Sequence, residues 1–203
     1  MISDYTSLIS QVINWIENDL VTTAIAQDLI QLGETRIYKE VRTSGMEATL
    51  SVTIAGGVAA LPADFIELKS VRIAGSPDKP LGIIGDEQMY REYPTRSSSN
   101  KPDFAAVEAG NLIFGPYPDS AYTVKGVYYK RLTALSASNT TNYFTGDGGA
   151  ALFFASLAEA EPFLKNDQRL VIWEAKYEAE AKRINKEEKR RRFRGGPLRM
   201  REA

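Results

Sequence analysis

The hydrophobic period of this 203-residue chain changes twice, and that limits it to a mixed fold. Near the N-terminus the period is helical. Tyr5, Leu8, Ile9, Val12, Ile13 and Ile16 recur at helical spacing behind a cap at Ser3 or Asp4. Ile25, Leu29, Leu32, Ile37 and Val41 lie on or near one face of a second helix, which Thr22 or Thr23 opens and Ser44-Gly45 closes. From Met46 the period becomes two: Leu50, Val52 and Ile54 alternate with Thr49, Ser51 and Thr53. Strand-like runs follow at residues 66–73, 103–108, 111–114 and 122–131, separated by Gly, Pro and Asp turns and a short helical stretch over 86–93. Helical spacing returns after Thr145-Gly-Asp-Gly-Gly, with Leu152, Phe153, Leu157, Ala160 and Leu164. A long last helix then carries Leu170, Trp173, Tyr177, Ala181 and Ile184 to about Arg192, where Gly195-Gly196-Pro197 stops it.

Neither terminal pair of amphipathic helices can bury its stripe alone, so the two pairs are expected to pack together. The expected architecture is α+β. An N-terminal helix hairpin (1–45) and a C-terminal one (136–194) form a helical bundle. A small antiparallel β domain (46–135) is inserted between them, and an extended basic C-terminal arm (195–203) follows.

The chain has no cysteine and no histidine. That removes disulfides, thiolate nucleophiles, Ser-His-Asp and Cys-His catalysis, and the usual zinc geometries. Carboxylate chemistry survives this test, but the acids are scattered singly. Glu159 and Glu161, the nearest approach to a pair, are two apart and point to different helix faces. The Gly-rich turn before Ala150 lacks the Gly-Lys-Ser/Thr ending of a phosphate loop and reads as a helix entry. No catalytic, metal or cofactor residue is therefore assigned, and the chain is expected not to be an enzyme. Nothing between Met1 and Leu20 has a signal-peptide pattern, and no window is apolar enough to span a membrane, so a protein made in a cytoplasm is expected.

The net charge of −1 conceals an asymmetry. From Lys182 to the end the chain carries about +7, which leaves about −8 for the remainder. A basic tail on an acidic body implies an anionic partner for the tail. Three readings are open: a solvated helix end, an arm that grips nucleic-acid phosphates, or an arm that docks in an acidic groove of a protein. Leu198 and Met200 favour the last, because phosphates need no apolar anchors whereas a protein groove uses them. The candidate docking residues are Lys186, Lys189, Arg190, Arg191, Arg192, Arg194, Leu198, Arg199, Met200 and Arg201. Tyr117, Tyr122, Tyr128, Tyr129, Tyr143 and Phe144 could stack bases, but Lys125, Lys130 and Arg131 are the only cations adjoining them. Core and interface packing explains these aromatics better.

Several stretches in order resemble the head-to-tail (portal) adaptor proteins of tailed bacteriophages, the group related to tail tubular protein A. They are Asp28-Leu-Ile-Gln-Leu-Gly-Glu-Thr-Arg-Ile-Tyr, Leu61-Pro-Ala-Asp-Phe-Ile-Glu-Leu-Lys-Ser-Val-Arg-Ile and Tyr128-Tyr-Lys-Arg-Leu-Thr-Ala-Leu-Ser. Asn139-Thr-Thr-Asn-Tyr-Phe, Leu157-Ala-Glu-Ala-Glu-Pro-Phe-Leu-Lys-Asn-Asp-Gln-Arg and Trp173-Glu-Ala-Lys-Tyr-Glu-Ala-Glu-Ala complete the set. The likeness reaches about Asn185, and the tail beyond carries no matching motif. The resemblance implies a usually twelve-fold ring of this chain, bound to the portal protein and offering its other side to a tail nozzle or tail tube protein and tail fibres. Double-stranded DNA would pass through the ring without specific binding. It places the protein at the head–tail interface of the virion, assembled in the host cytoplasm, with no membrane contact and no cofactor.

Overall fold

The computed structural model describes residues 2–97, 99–164 and 167–193. The chain divides into two compact units: residues up to Met46 together with those from Leu132 onward, and Glu47–Arg131.

The first unit is helical, with α1 (Tyr5–Ile16), α2 (Thr23–Glu40), α4 (Gly149–Leu164) and α5 (Asp167–Phe193). The start of α1 is set by a reciprocal cap. Asp4 Oδ1 accepts the Ser7 N–H at 2.7 Å, and Ser7 Oγ accepts the Asp4 N–H at 3.1 Å. At the other end Glu17 turns into the left-handed region and ends the helix. The middle of the unit is α4, whose Ala151, Leu152, Phe153, Ala155, Ser156, Leu157, Ala158 and Ala160 are all buried. Both α2 and α5 pack mainly on α4, and α2 touches α1 much less. Small residues explain the close approach: a Cβ on Gly33 of α2 would come within 3.1 Å of the Ser156 backbone nitrogen.

The second unit contains β1 (Glu47–Thr53), β2 (Val58–Ala60), β3 (Phe65–Ile73), β4 (Lys79–Pro80), β5 (Gly82–Ile83), α3 (Asp86–Glu92), β6 (Ser99–Asn100), β7 (Phe104–Glu108), β8 (Asn111–Gly115), β9 (Tyr117–Pro118) and β10 (Thr123–Lys130). One sheet has the order β1-β10-β3-β4, a second β2-β8-β7-β5, and β6 pairs with β9. Leu50, Ile54, Val71, Ile73, Val124 and Tyr128 from the first sheet share one core with Ala59, Ala105, Leu112 and Phe114 from the second. On its other face the second sheet carries α3, where Met89 packs with Ala106 and Ile113. Strand β8 is thus buried on both faces, which is why its sequence is continuously apolar and does not alternate. The outward residues of β1, by contrast, are the exposed Thr49, Ser51 and Thr53.

This corrects the expected architecture. The α+β class stands, but the protein is not a helical bundle with a small antiparallel β domain inserted. Among the described residues the strand-rich part has ten strands in three sheets and a helix of its own, and β5/β7 and β6/β9 pair in parallel. The helices are not two hairpins laid side by side either, because a nearly all-buried α4 lies at the centre. Two- and three-residue strands have no period to read, and the spacing in α4 marks a helix without showing that neighbours cover most of its faces.

Gly126 sits in β10 opposite Leu50 and Val71, where a Cβ would run into the backbone oxygen of Ser70. Gly126→Ala should cost about 2 kcal/mol through forced strand displacement. The check is a lower thermal midpoint together with faster hydrogen exchange at β10 and β3 amides.

Candidate docking surface

Helix α5 is fixed along its length by side chains of α2, α4 and the segment after α2. Near its start Trp173 Nε1 donates to Glu161 Oε1 at 2.9 Å. At the next residue Arg36 of α2 forks onto Glu174, with Nη1 and Nη2 donating at 2.8 and 2.6 Å. The same guanidinium lies 4.3 Å above the ring of Tyr177, and Glu40 and Glu159 stand 3.5 and 3.8 Å from it. The hydrogen bond to Glu174 holds Arg36 more firmly protonated than usual, and burial pushes the Tyr177 phenol up. Arg36→Ala would leave three carboxylates beside a fully buried tyrosine with their shared cation gone. A loss of about 3 kcal/mol is expected, read as a thermal midpoint lower by about 10 °C.

Further along, Asn185 serves the exposed end of α2. Its Oδ1 accepts the Arg42 N–H and its Nδ2 donates to the Glu40 carbonyl, both at 3.2 Å. Glu188, only 7% exposed, accepts from Thr43 Oγ1 and Ser44 Oγ at 3.1 Å and from Arg191 Nη1 at 3.2 Å. Arg191 also donates to Ser44 Oγ at 3.1 Å.

These contacts sort the ten candidate docking residues. Lys186, Lys189, Arg190 and Arg191 lie on α5, in a helix anchored to the 41–46 segment rather than in an extended arm. The backbone of Arg192 is in the same helix. Arg194, Leu198, Arg199, Met200 and Arg201 lie outside the described residues. Several neighbouring cations are already satisfied: Lys182 by Glu178 at 2.7 Å, Arg183 by Glu180 and Glu187 at 2.6 and 3.0 Å, and Arg191 by Glu188. Lys186, Lys189 and Arg190 are exposed and have no ion pair among the described residues. Their spacing of three and four places them on one helix face.

Sequence reasoning missed two further features. On the first turns of α5, Val171 and Ile172 are 72% and 51% exposed. Near them is an aromatic cluster in which Trp15 lies 5.7 Å from Trp173 and 5.1 Å from Phe153. The second feature is Glu34, in the middle of α2 and only 3% exposed. Its carboxylate accepts the Leu135 N–H at 3.3 Å and Asn142 Nδ2 at 3.2 Å. Burial raises its pKa, against the lowering effect of these two donors. Between the ordinary glutamate value and the raised one, the native protein therefore holds a proton that the unfolded chain has released, and stability falls as pH rises through that window. Glu34→Gln should unfold at a higher temperature than the parent at pH 7, with the difference closing toward pH 4. Parallel thermal melts across that range provide the check.

Among the described residues, no group of three or more acids stands close enough to hold a metal ion, and no helix is long and apolar enough to cross a membrane. The Gly-rich segment begins with a 3₁₀ turn at Tyr143–Thr145, capped by Asn142, and leads into α4. Of the candidate base-stacking aromatics, Tyr128, Tyr129 and Phe144 are buried, while Tyr117, Tyr122 and Tyr143 are half-buried. In comparisons with known proteins, the family described as SU10 adaptor protein matches residues 3–201. No curated protein matches the chain.

Proposed function

The chain belongs to the SU10 adaptor protein family, a family of phage structural adaptors, and from that premise we propose that it is the head-to-tail adaptor subunit of a virion. Copies of the chain form a ring, twelve-fold by the resemblance to tail tubular protein A relatives. The ring binds the portal protein on one side and a tail nozzle or tail tube protein on the other, and double-stranded DNA passes through its centre. The observation that carries this reading is the anchored α5, whose last turns carry Lys186, Lys189 and Arg190 with no ion pair among the described residues, ahead of the basic tail in the sequence. An anchored helix presents those charges without the entropy cost of ordering them. Many such ends on one ring bind together far more tightly than any single one.

Mixing the purified protein with purified portal and imaging by negative stain tests the proposal. A discrete extra tier on the portal is the expected result. The same three cations also suit nucleic-acid phosphates, which is the second reading. Free protein beside bare portals, with DNA affinity falling steeply as salt rises, would select it.

A further inference from the structure

Strand β1 is an edge of the first sheet, and its outer side is open. Ile54 N–H donates to the Tyr122 carbonyl at 3.0 Å on the β1 side of β10, whereas the Thr123 carbonyl accepts from Ala74 N–H at 2.8 Å on the β3 side. Even-numbered residues of β1 therefore direct their backbone groups at β10. Glu47, Thr49, Ser51 and Thr53 direct theirs outward. Past Thr53 that side is closed, because Ala55 and Val58 bond each other across the turn that leads into β2. From Glu47 to Ser51 the outward N–H and C=O groups have no backbone partner among the described residues.

Exposed edges are ordinarily blunted by shortness, proline, lysine or a bulge. The other edge strands of the two main sheets follow that rule: β2 has three residues, β4 and β5 have two each, and β4 consists of Lys79 and Pro80. Strand β1 has seven residues, no proline and no lysine, and its ladder to β10 runs without a register shift.

Its sequence also matches itself. Laid antiparallel on a second copy about a two-fold axis at Thr49, hydroxyl meets hydroxyl at the axis, and Ala48 meets Leu50 on the core face. Glu47, the one charge in the run, meets Ser51 and is already paired with Lys69. No like charges face each other, and the outward groups of Glu47, Thr49 and Ser51 exchange about six main-chain hydrogen bonds. A register centred nearer Thr53 would drive the partner strand into the 55–58 turn. Another protein would have to bring a matching strand, whereas a second copy brings this one.

We propose that two copies of the free protein pair edge to edge through β1, continuing the first sheet across a two-fold axis. Neighbours in a ring meet through unlike patches, so this like-to-like contact is separate from the ring contact and does not depend on it. The bonds are main-chain, so side chains along the edge stay free to vary. Proline is the change that breaks the contact.

Sedimentation equilibrium of the full chain from about 10 µM to about 1 mM provides the test. A contact this short is small, so a Kd of about 100 µM is expected, read as a mass rising toward two copies. Thr49→Pro removes an outward N–H and no bond to β10. It should weaken pairing at least tenfold and leave the thermal midpoint nearly unchanged. Thr49→Cys supplies a second readout in a chain with no native cysteine. The two Thr49 positions would stand about 5.5 Å apart, within the span of a disulfide. Mild oxidation should therefore give a covalent dimer, whereas Thr123→Cys, exposed on the same face but one strand inward, should not cross-link. A one-copy mass up to about 1 mM overturns the proposal. So does association that Thr49→Pro leaves unchanged, or equal cross-linking at the two positions.

Discussion

A chain ending at Phe193 should fold as the full protein does and fail to decorate portals. The cut removes the segment carrying Arg194, Leu198, Arg199, Met200 and Arg201 and leaves every described contact of α5 in place. Its thermal midpoint should therefore match the parent within about 0.5 kcal/mol, while sedimentation with purified portal should lose the bound fraction entirely. A cut after Asn185 is a different experiment. It also removes Glu188 and Arg191 and leaves the Thr43 hydroxyl, 0% exposed, without its acceptor. That costs about 1–3 kcal/mol of stability in addition to attachment. Comparing the two cuts separates docking from folding. If the chain ending at Phe193 still decorates portals, the tail is dispensable and the contact lies on the face of Lys186, Lys189 and Arg190. Reversing those three charges would then abolish it.

Phe114→Ala should produce the largest loss of stability of any single change discussed. Phe114 is 0% exposed in the core shared by the two main sheets, and its strand is covered by α3 on the opposite face, so little can collapse into the space vacated. Truncating a phenylalanine in such a place costs about 4 kcal/mol, a large part of the stability of an ordinary domain. The measurement is denaturant unfolding followed by far-ultraviolet circular dichroism, with hydrogen exchange resolving β7 and β8. Val107→Ala, on the same sheet but 39% exposed, should cost under about 1 kcal/mol. Equal losses at the two positions would contradict the shared core.

The sequence made the long elements legible where one face is buried and the other is wet. In α1, Tyr5, Leu8, Ile9, Val12 and Ile16 are buried as their spacing predicts, and Asp4 is the cap. The alternation at β1 and the runs at β3, β7, β8 and β10 mark real strands. Legibility failed where burial does not follow a period. The spacing places Leu32 on or near the apolar face of α2, yet it is 52% exposed, while Gly33 and Glu34 beside it are buried. A glycine buried against Ser156 and a carboxylate buried against Leu135 carry no hydrophobic signal, so α2 reads as a weaker and misphased stripe. The short strands β2, β4, β5, β6 and β9 depend on partners distant in the chain. At the docking surface, charge counting found the basic stretch. It could not divide that stretch into cations already paired within the helix and cations left over, because the division depends on Glu178, Glu180, Glu187 and Glu188 at helical spacing. Nor could it see that Asn185 and Glu188 face the 41–46 segment.

The unequal covering of the two main sheets sets where this chain can be rewritten. Strands β7 and β8 answer to a core on one side and to α3 on the other, so nearly every position there is constrained. The outer positions of β1 and β10, Thr49, Ser51, Thr53, Thr123 and Lys125, answer only to water and to their cross-strand neighbours. In a chain without a native cysteine, a single thiol placed at one of those threonines gives a label of defined position. Drift among relatives should gather on that same face, since substitution there is nearly free.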